Sequence, residues 1–249
     1  MMIYVDAGTT WSKICEISDK PSGFFGKYRE YLTKTDKDKK YYIIPSNLLK
    51  DCEYRFTAGT GHMSKINLEN EENYLNEVIS LSKGYLKLCS NDGVVLDLGS
   101  RDAKWVKFNQ GKFKDLDWNN SCASATGATV EMLLKFYDVN PDELEFTKER
   151  YNITCGIFGL EKIMDDIANG ESAKIAISKF LHGIAYNSWQ FAKKPQSVYL
   201  SGGFCENKCF VDSLAQYTGV HKLGRYVLLE GLIYEYERLK HDGKYLQSA

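Results

Sequence analysis

Two segments about 90 residues apart constrain the fold of this chain most, because they are one unit written twice. VDAGTTWSK and LDLGSRDAK align without a gap: Asp6 and Asp97 head the two copies, Gly8 and Gly99 follow, and Lys13 and Lys104 close them. Each begins on an apolar run of strand type, residues 2–6 in one copy and 93–98 in the other. Each turns at its glycine and returns on a second run, residues 11–17 or 103–108, so both read as strand–turn–strand hairpins. Helical spacing marks 71–88, 126–138, 157–168, 172–192, 205–218 and 227–240, with a further strand at 197–200. A short strand is expected at 54–58, a short helix at 43–50, and a charged loop or exposed edge at 33–42. The pattern predicts an α/β chain with two similar halves, 1–91 and 92–249, the last helix packing back on the first half.

The residue types in the repeat suit a phosphate chain. Backbone N–H groups in a tight glycine turn can approach phosphate oxygens without a Cβ in the way. A nearby carboxylate can hold Mg²⁺, directly or through water, and a lysine offsets charge. Asp6, Gly8, Thr9, Thr10 and Lys13 supply this set once; Asp97, Gly99, Ser100, Asp102 and Lys104 supply it again. One such motif alone is usually an ordinary hairpin turn, but two in matched register point to a nucleotide gripped from both sides. A third strand–turn–helix element, VYLSGGFCEN, places Gly202 and Gly203 where a flat backbone would suit adenosine, or where a left-handed turn simply precedes a helix. In this scheme Asp6 and Asp97 orient Mg²⁺ and the attacking water, and Arg101 puts a cation near the terminal phosphate.

A net charge of −1 gives no support for a nucleic-acid or membrane-surface role. Membrane spans need about 18 or more apolar residues, and no run approaches that. The opening MMIYVDAG runs straight into a strand without the pattern of a signal peptide, which predicts a cytoplasmic protein. Seven cysteines with no CxxC pair argue against a disulfide framework or a zinc knuckle. Cys122 in NNSCASATG and Cys155 in NITCGIFG each stand just before a predicted helix, where the helix dipole favours a thiolate. A [4Fe–4S] cluster generally takes four cysteines. A two-fold dimer in which each copy gives Cys122 and Cys155 would supply them; the plainer reading is two buried free thiols. Cys205 and Cys209 have the spacing of a metal pair but read more simply as buried thiols, as do Cys15, Cys52 and Cys89. His62 and His182 lack a second ligand at useful spacing, and Trp189 and Phe191 read as packing residues.

The three glycine elements in this order resemble the actin/hexokinase/Hsp70 superfamily, which implies two ribonuclease-H-like lobes with a nucleotide cleft between them. The ordered set DAGTTWSK, FTAGTGH, LDLGSRDAK, NNSCASATG, ITCGIFG, LSGGFCEN and GLIYEYERL resembles, more narrowly, the activators of 2-hydroxyacyl-CoA dehydratases and benzoyl-CoA reductases. That resemblance runs from residue 3 to about 240. It implies an ATPase that is a homodimer around one [4Fe–4S] cluster held by Cys122 and Cys155, with ATP/ADP and Mg²⁺ as further cofactors. It also implies transfer of a low-potential electron to a partner iron–sulfur enzyme, a double-cubane protein in a related branch, with ferredoxin or flavodoxin as donor. Neither nucleic acid nor membrane is an implied partner. The chain departs from the family at three places. Ser100 and Arg101 replace a Gly-Gln pair, Ser124 and Ala125 replace Ala-Gly after Cys122, and Leu160-Glu161-Lys162 stands where an acidic pair is usual. A small-molecule kinase of the same fold, similar to type III pantothenate kinases with Asp102 as base, and a non-catalytic ATP-binding scaffold are the competing expectations.

Overall fold

The computed structural model describes residues 1–19, 23–89, 92–119, 127–153, 156–244 and 246. The chain divides into two compact units, one formed by Met1–Ser90 with Tyr226–Ala249 and the other by Asn91–Arg225.

The first unit is built on a five-stranded sheet of order β3-β4-β2-β1-β5. β1 (Met2–Ala7) and β2 (Trp11–Ile17) form the first hairpin, and β5 (Ala58–Thr60) pairs parallel to β1 on its other side. β3 (Leu32–Asp36) and β4 (Lys39–Pro45) are a second hairpin at the sheet's edge. Within the charged stretch at 33–42, β3 is the exposed edge, where lysines discourage pairing with another chain, whereas β4 is paired on both sides and buries Tyr41 and Tyr42. Strand alternation splits β1 between two cores. Ile3, Val5 and Ala7 pack with Phe24 of α1 (Gly23–Tyr28), Tyr42, Ile44 and Phe56. Tyr4 faces the opposite core, which α7 (Val227–His241) fills with Leu229, Leu232, Ile233 and Leu239. Burying each such side chain contributes about 1.5–3 kcal/mol. α2 (Glu77–Leu88) starts under the cap of Asn76, whose side chain accepts from the Val78 N–H at 2.9 Å. α2 lies so close to α7 that a Cβ on Gly84 or Gly231 would sit 2.0 Å from Val227 O or 1.9 Å from Ser80 O.

The second unit repeats the plan in a sheet of order β10-β9-β6-β7-β8. β6 (Gly93–Leu98) and β7 (Ala103–Asn109) are the second hairpin, and β9 (Ser197–Gly202) pairs parallel to β6. β8 (Lys112–Asn119) and β10 (Gly219–Gly224) form the two edges. Val94, Leu96 and Leu98 enter a core with Ile177, Phe180, Leu181 and Ile184 of α5 (Ala173–Phe191) and Phe210 and Leu214 of α6 (Lys208–Leu214). α3 (Gly127–Phe136) and α4 (Gly156–Ala168) complete the unit. The order β4-β2-β1-β5 in the first unit matches β8-β7-β6-β9 in the second, so the duplication is present in the strand pairing itself.

Several local expectations shift. The strand expected at 54–58 lies at Ala58–Thr60, because Thr57 exchanges bonds with Ile3 through both its backbone and its hydroxyl. The helix expected at 43–50 is a single 3-10 turn, Ser46–Leu49, after β4 runs on to Pro45. The helix expected at 205–218 breaks into a 3-10 turn, Gly203–Glu206, and α6, because Asn207 caps the Phe210 N–H at 2.8 Å and restarts the chain. No helix among the described residues is long and apolar enough to cross a membrane.

Candidate functional site

In the first unit the strand register pairs Asp6 with Lys13 across the hairpin, and Lys13 Nζ lies 2.9 Å from Asp6 Oδ2. The carboxylate is buried, on the face of β1 opposite to Ile3, Val5 and Ala7. Gly8 is required by the turn itself, since a Cβ there would stand 2.7 Å from Trp11 O. The turn is fastened by a residue the motif does not contain. Ser46 donates its hydroxyl to Gly8 O at 2.7 Å and its N–H to Thr10 O at 2.9 Å, and its oxygen lies 2.7 Å from Ser12 Oγ. Thr9 and Thr10 thus sit on a turn held from both ends.

The second hairpin repeats this with additions. Asp97 pairs in register with Lys104, whose ammonium lies 3.5 Å from Asp97 Oδ2 and 3.1 Å from Asp102 Oδ2. Lys104 is 2% exposed, so its charge is balanced by two carboxylates rather than by water. Ser201 donates to Asp97 Oδ1 at 2.6 Å, and Trp118 Nε1 on β8 donates to Asp102 Oδ2 at 2.6 Å. The Gly99 N–H bonds Asp102 O at 2.9 Å and closes the turn. Its carbonyls are also used: Gly99 O and Ser100 O accept the Gly127 and Ala128 N–H groups at 3.2 and 2.9 Å. Those are the first donors of α3, which have no partner within the helix. Arg101 is exposed on this turn and makes no hydrogen bond or ion pair among the described residues. Gly202 adopts φ +95°, and a Cβ on it would meet Leu98 O at 2.4 Å, so the fold alone demands glycine there. Gly203 faces open space.

Cys122 and Cys155 lie outside the described residues; α3 starts at Gly127 and α4 at Gly156, directly after Cys155. Cys205 donates to Leu200 O at 3.0 Å and Cys209 to Glu145 O at 3.3 Å, so these two buried thiols serve separate carbonyls. Burial pushes the Cys205 thiol up to about 11 and the Cys15 thiol up to about 12. His182 bonds Tyr217 OH at 2.8 Å and Glu149 O at 3.2 Å, and burial lowers its pKa against the backbone carbonyl bonds: it is a satisfied core histidine.

The activator of lactoyl-CoA dehydratase from Anaerotignum propionicum is 23% identical over 177 residues, 67% of this chain and 68% of that protein. The chain is similar to the activators of 2-hydroxyacyl-CoA dehydratases. The activator of 2-hydroxyisocaproyl-CoA dehydratase from Clostridium difficile, solved with bound ADPNP, superposes with a TM-score of 0.72 at 16% identity, covering 97% of this chain and 96% of that one. Component A of (R)-2-hydroxyglutaryl-CoA dehydratase from Acidaminococcus fermentans gives 0.66 at 16% identity over 95% and 98% of the two chains. The fold is the one these two structures share, two mixed sheets each carrying helices. No protein-family model matches the chain.

Ser46, Thr60, Trp118 and Ser201 were not visible as site residues in the sequence. Thr60 and Ser201 had a signal, since Thr60-Gly61 in FTAGTGH and Ser201-Gly202 in LSGGFCEN end corresponding strands of the two halves.

Proposed function

We propose that this chain is an ATP-hydrolysing activator that delivers a low-potential electron to a partner iron–sulfur enzyme of the 2-hydroxyacyl-CoA dehydratase, benzoyl-CoA reductase or double-cubane type. In this reading the phosphates of Mg-ATP lie at the two Asp-x-Gly turns. The residues present fit that group: glycine turns whose atoms leave no room for a Cβ, buried carboxylates, and a buried hydroxyl with no protein partner, Thr60 Oγ1. Asp6 and Asp97 hold the cation, directly or through water, and orient the attacking water; Mg²⁺ supplies charge compensation for the phosphates. Gly8, Thr9, Thr10, Gly99, Ser100 and Asp102 surround the phosphate chain, Lys13 and Lys104 fix the carboxylates, and Gly202 and Gly203 lie by the adenosine. Arg101, exposed and unpaired among the described residues, is available to the terminal phosphate.

One observation carries the coupling. The carbonyls of Gly99 and Ser100 hold the first N–H groups of α3, the helix that follows Cys122 in the chain. A change of nucleotide at this turn would be passed to that helix through these two hydrogen bonds. Cys122 and Cys155 of two copies would hold the [4Fe–4S] cluster, which would supply the low-potential electron, with a ferredoxin or flavodoxin as donor. The support is the similarity to proteins named as activators, one of them named an activating ATPase.

The test is iron and acid-labile sulfide content with EPR after reduction, on protein purified without oxygen, alongside ATP binding. About four irons per dimer, lost in Cys122→Ser and Cys155→Ser while ATP still binds, is the expected result. A protein that binds ATP without iron sinks the electron-transfer reading, and one that binds no ATP sinks the ATPase reading as well.

A further inference from the structure

The duplication extends to a residue pair that neither hairpin contains. β5 runs parallel to β1 with Thr60 in register with Asp6, and β9 runs parallel to β6 with Ser201 in register with Asp97. The glycines that follow correspond as well. Gly61 has φ +91° with Ala7 O at 2.5 Å from its built Cβ, and Gly202 has φ +95° with Leu98 O at 2.4 Å. Thr60 and Ser201 are therefore one position of the repeated unit, a hydroxyl on the same sheet face as the neighbouring aspartate.

The two copies use that hydroxyl differently. Ser201 donates to Asp97 Oδ1 at 2.6 Å, and Lys104 lies beside Asp97 Oδ2. Both oxygens of Asp97 are thereby engaged within the second unit. Thr60 is 0% exposed and its Oγ1 has no hydrogen-bond partner. Lys13 occupies Asp6 Oδ2, and among the described residues no hydrogen bond reaches Asp6 Oδ1. A buried hydroxyl without a partner is destabilising, so its persistence on the strand next to Asp6 asks for a reason.

We propose that Thr60 is a binding residue for the hydrated divalent cation at Asp6, and that Asp97 is a positioning residue locked by Ser201 and Lys104. The inference rests on the Mg-nucleotide reading above and adds Thr60 to the groups around its cation, while Ser201 and Lys104 fix the carboxylate that Asp97 presents there. A water on the cation would have two protons to donate, one to Asp6 Oδ1 and one to Thr60 Oγ1, while its lone pair stays on the metal. In the second unit the Ser201–Asp97 bond makes the equivalent link directly.

The experiment titrates Mn²⁺ into the full chain with ADP present, reading free Mn²⁺ by EPR, for wild type, Thr60→Val, Thr60→Ala and Thr60→Ser; thermal unfolding is measured without ligand. The expected result is Mn²⁺ affinity about tenfold or more weaker in Thr60→Val and Thr60→Ala and near wild type in Thr60→Ser. Without ligand, Thr60→Val should melt no lower than wild type, because the hydroxyl it removes has no partner to lose. Wild-type affinity in Thr60→Val overturns the proposal, and so does equal weakening in Thr60→Ser, which would mark a packing effect. If wild type itself binds neither ADP nor Mn²⁺, the nucleotide reading falls rather than the role of Thr60 alone.

Discussion

The packing of α7 on α2 can be tested by one methyl group. In Gly231→Ala the new Cβ would stand 1.9 Å from Ser80 O. A carbon–oxygen contact needs about 3.3 Å, so the helices must part by about 1.4 Å at that point. A radial gap of 0.5–1 Å already forfeits a quarter to a half of the dispersion energy of a contact. The neighbouring side chains Leu228, Leu232 and Ile233 are all buried, so the helix has no free side toward which to move without cost. Overpacking of this kind costs about 1–3 kcal/mol even where side chains can yield. Here the obstacle is backbone, and we expect roughly 3–5 kcal/mol, the upper part of what single substitutions do. For a chain of this length each kcal/mol moves the midpoint by about 2–4 °C, which gives a drop near 10 °C. The assay is thermal unfolding of the purified chain with hydrogen exchange read on α2 and α7. Gly26→Ala is the control: nothing lies within 4 Å of its built Cβ, and alanine in a helix is favoured over glycine by roughly 0.5–1 kcal/mol. If Gly231→Ala melts with the wild type and exchange on the two helices is unchanged, the close approach is not what holds α7 in place.

Ser201→Ala should destabilise the chain by about 1.5–3 kcal/mol, the range for a hydrogen bond to a charged group, with Ser201→Thr retaining most of the stability; equal melting of Ser201→Ala and wild type would show that Asp97 does not depend on this hydroxyl. Stability should also fall in acid through Glu230 and Glu235. Burial alone would raise the Glu230 carboxyl, but the hydrogen bonds from Lys87 and Tyr41 outweigh it and hold it below the usual glutamate range. Arg238 lowers Glu235 against burial, with Lys83 adding to the effect. Because both folded values lie below the unfolded one of about 4.3, their stabilisation is full above that pH and is lost as pH falls through the folded values. Melting curves from pH 7 to pH 3 should decline below about pH 4 and be flatter in Glu230→Gln; an unchanged slope in that variant would refute the assignment.

The sequence by itself determined the elements that local chemistry writes into short motifs. Asp6 and Lys13, or Asp97 and Lys104, are paired by a tight glycine turn, so spacing within each segment was enough to predict both hairpins. Continuous apolar runs and helical periodicity found β6, α5 and α7 for the same reason. The edge strands β8 and β10 escaped because an edge is half solvated and carries charges that break the apolar pattern: Lys112, Lys114, Asp115 and Asp117 alternate through β8. Only tertiary structure could decide what completes each turn. Ser46 and Ser201 reach the first turn and Asp97 from strands far apart in the chain, Thr60 is brought into register with Asp6 in the same way, and nothing local distinguishes Ser46 from other hydroxyls. The fate of each hydroxyl was likewise a matter of packing. Equivalent positions bind a carboxylate in one unit and stand without a protein partner in the other, because a hydrogen bond depends on separations of a few tenths of an ångström that sequence spacing does not set.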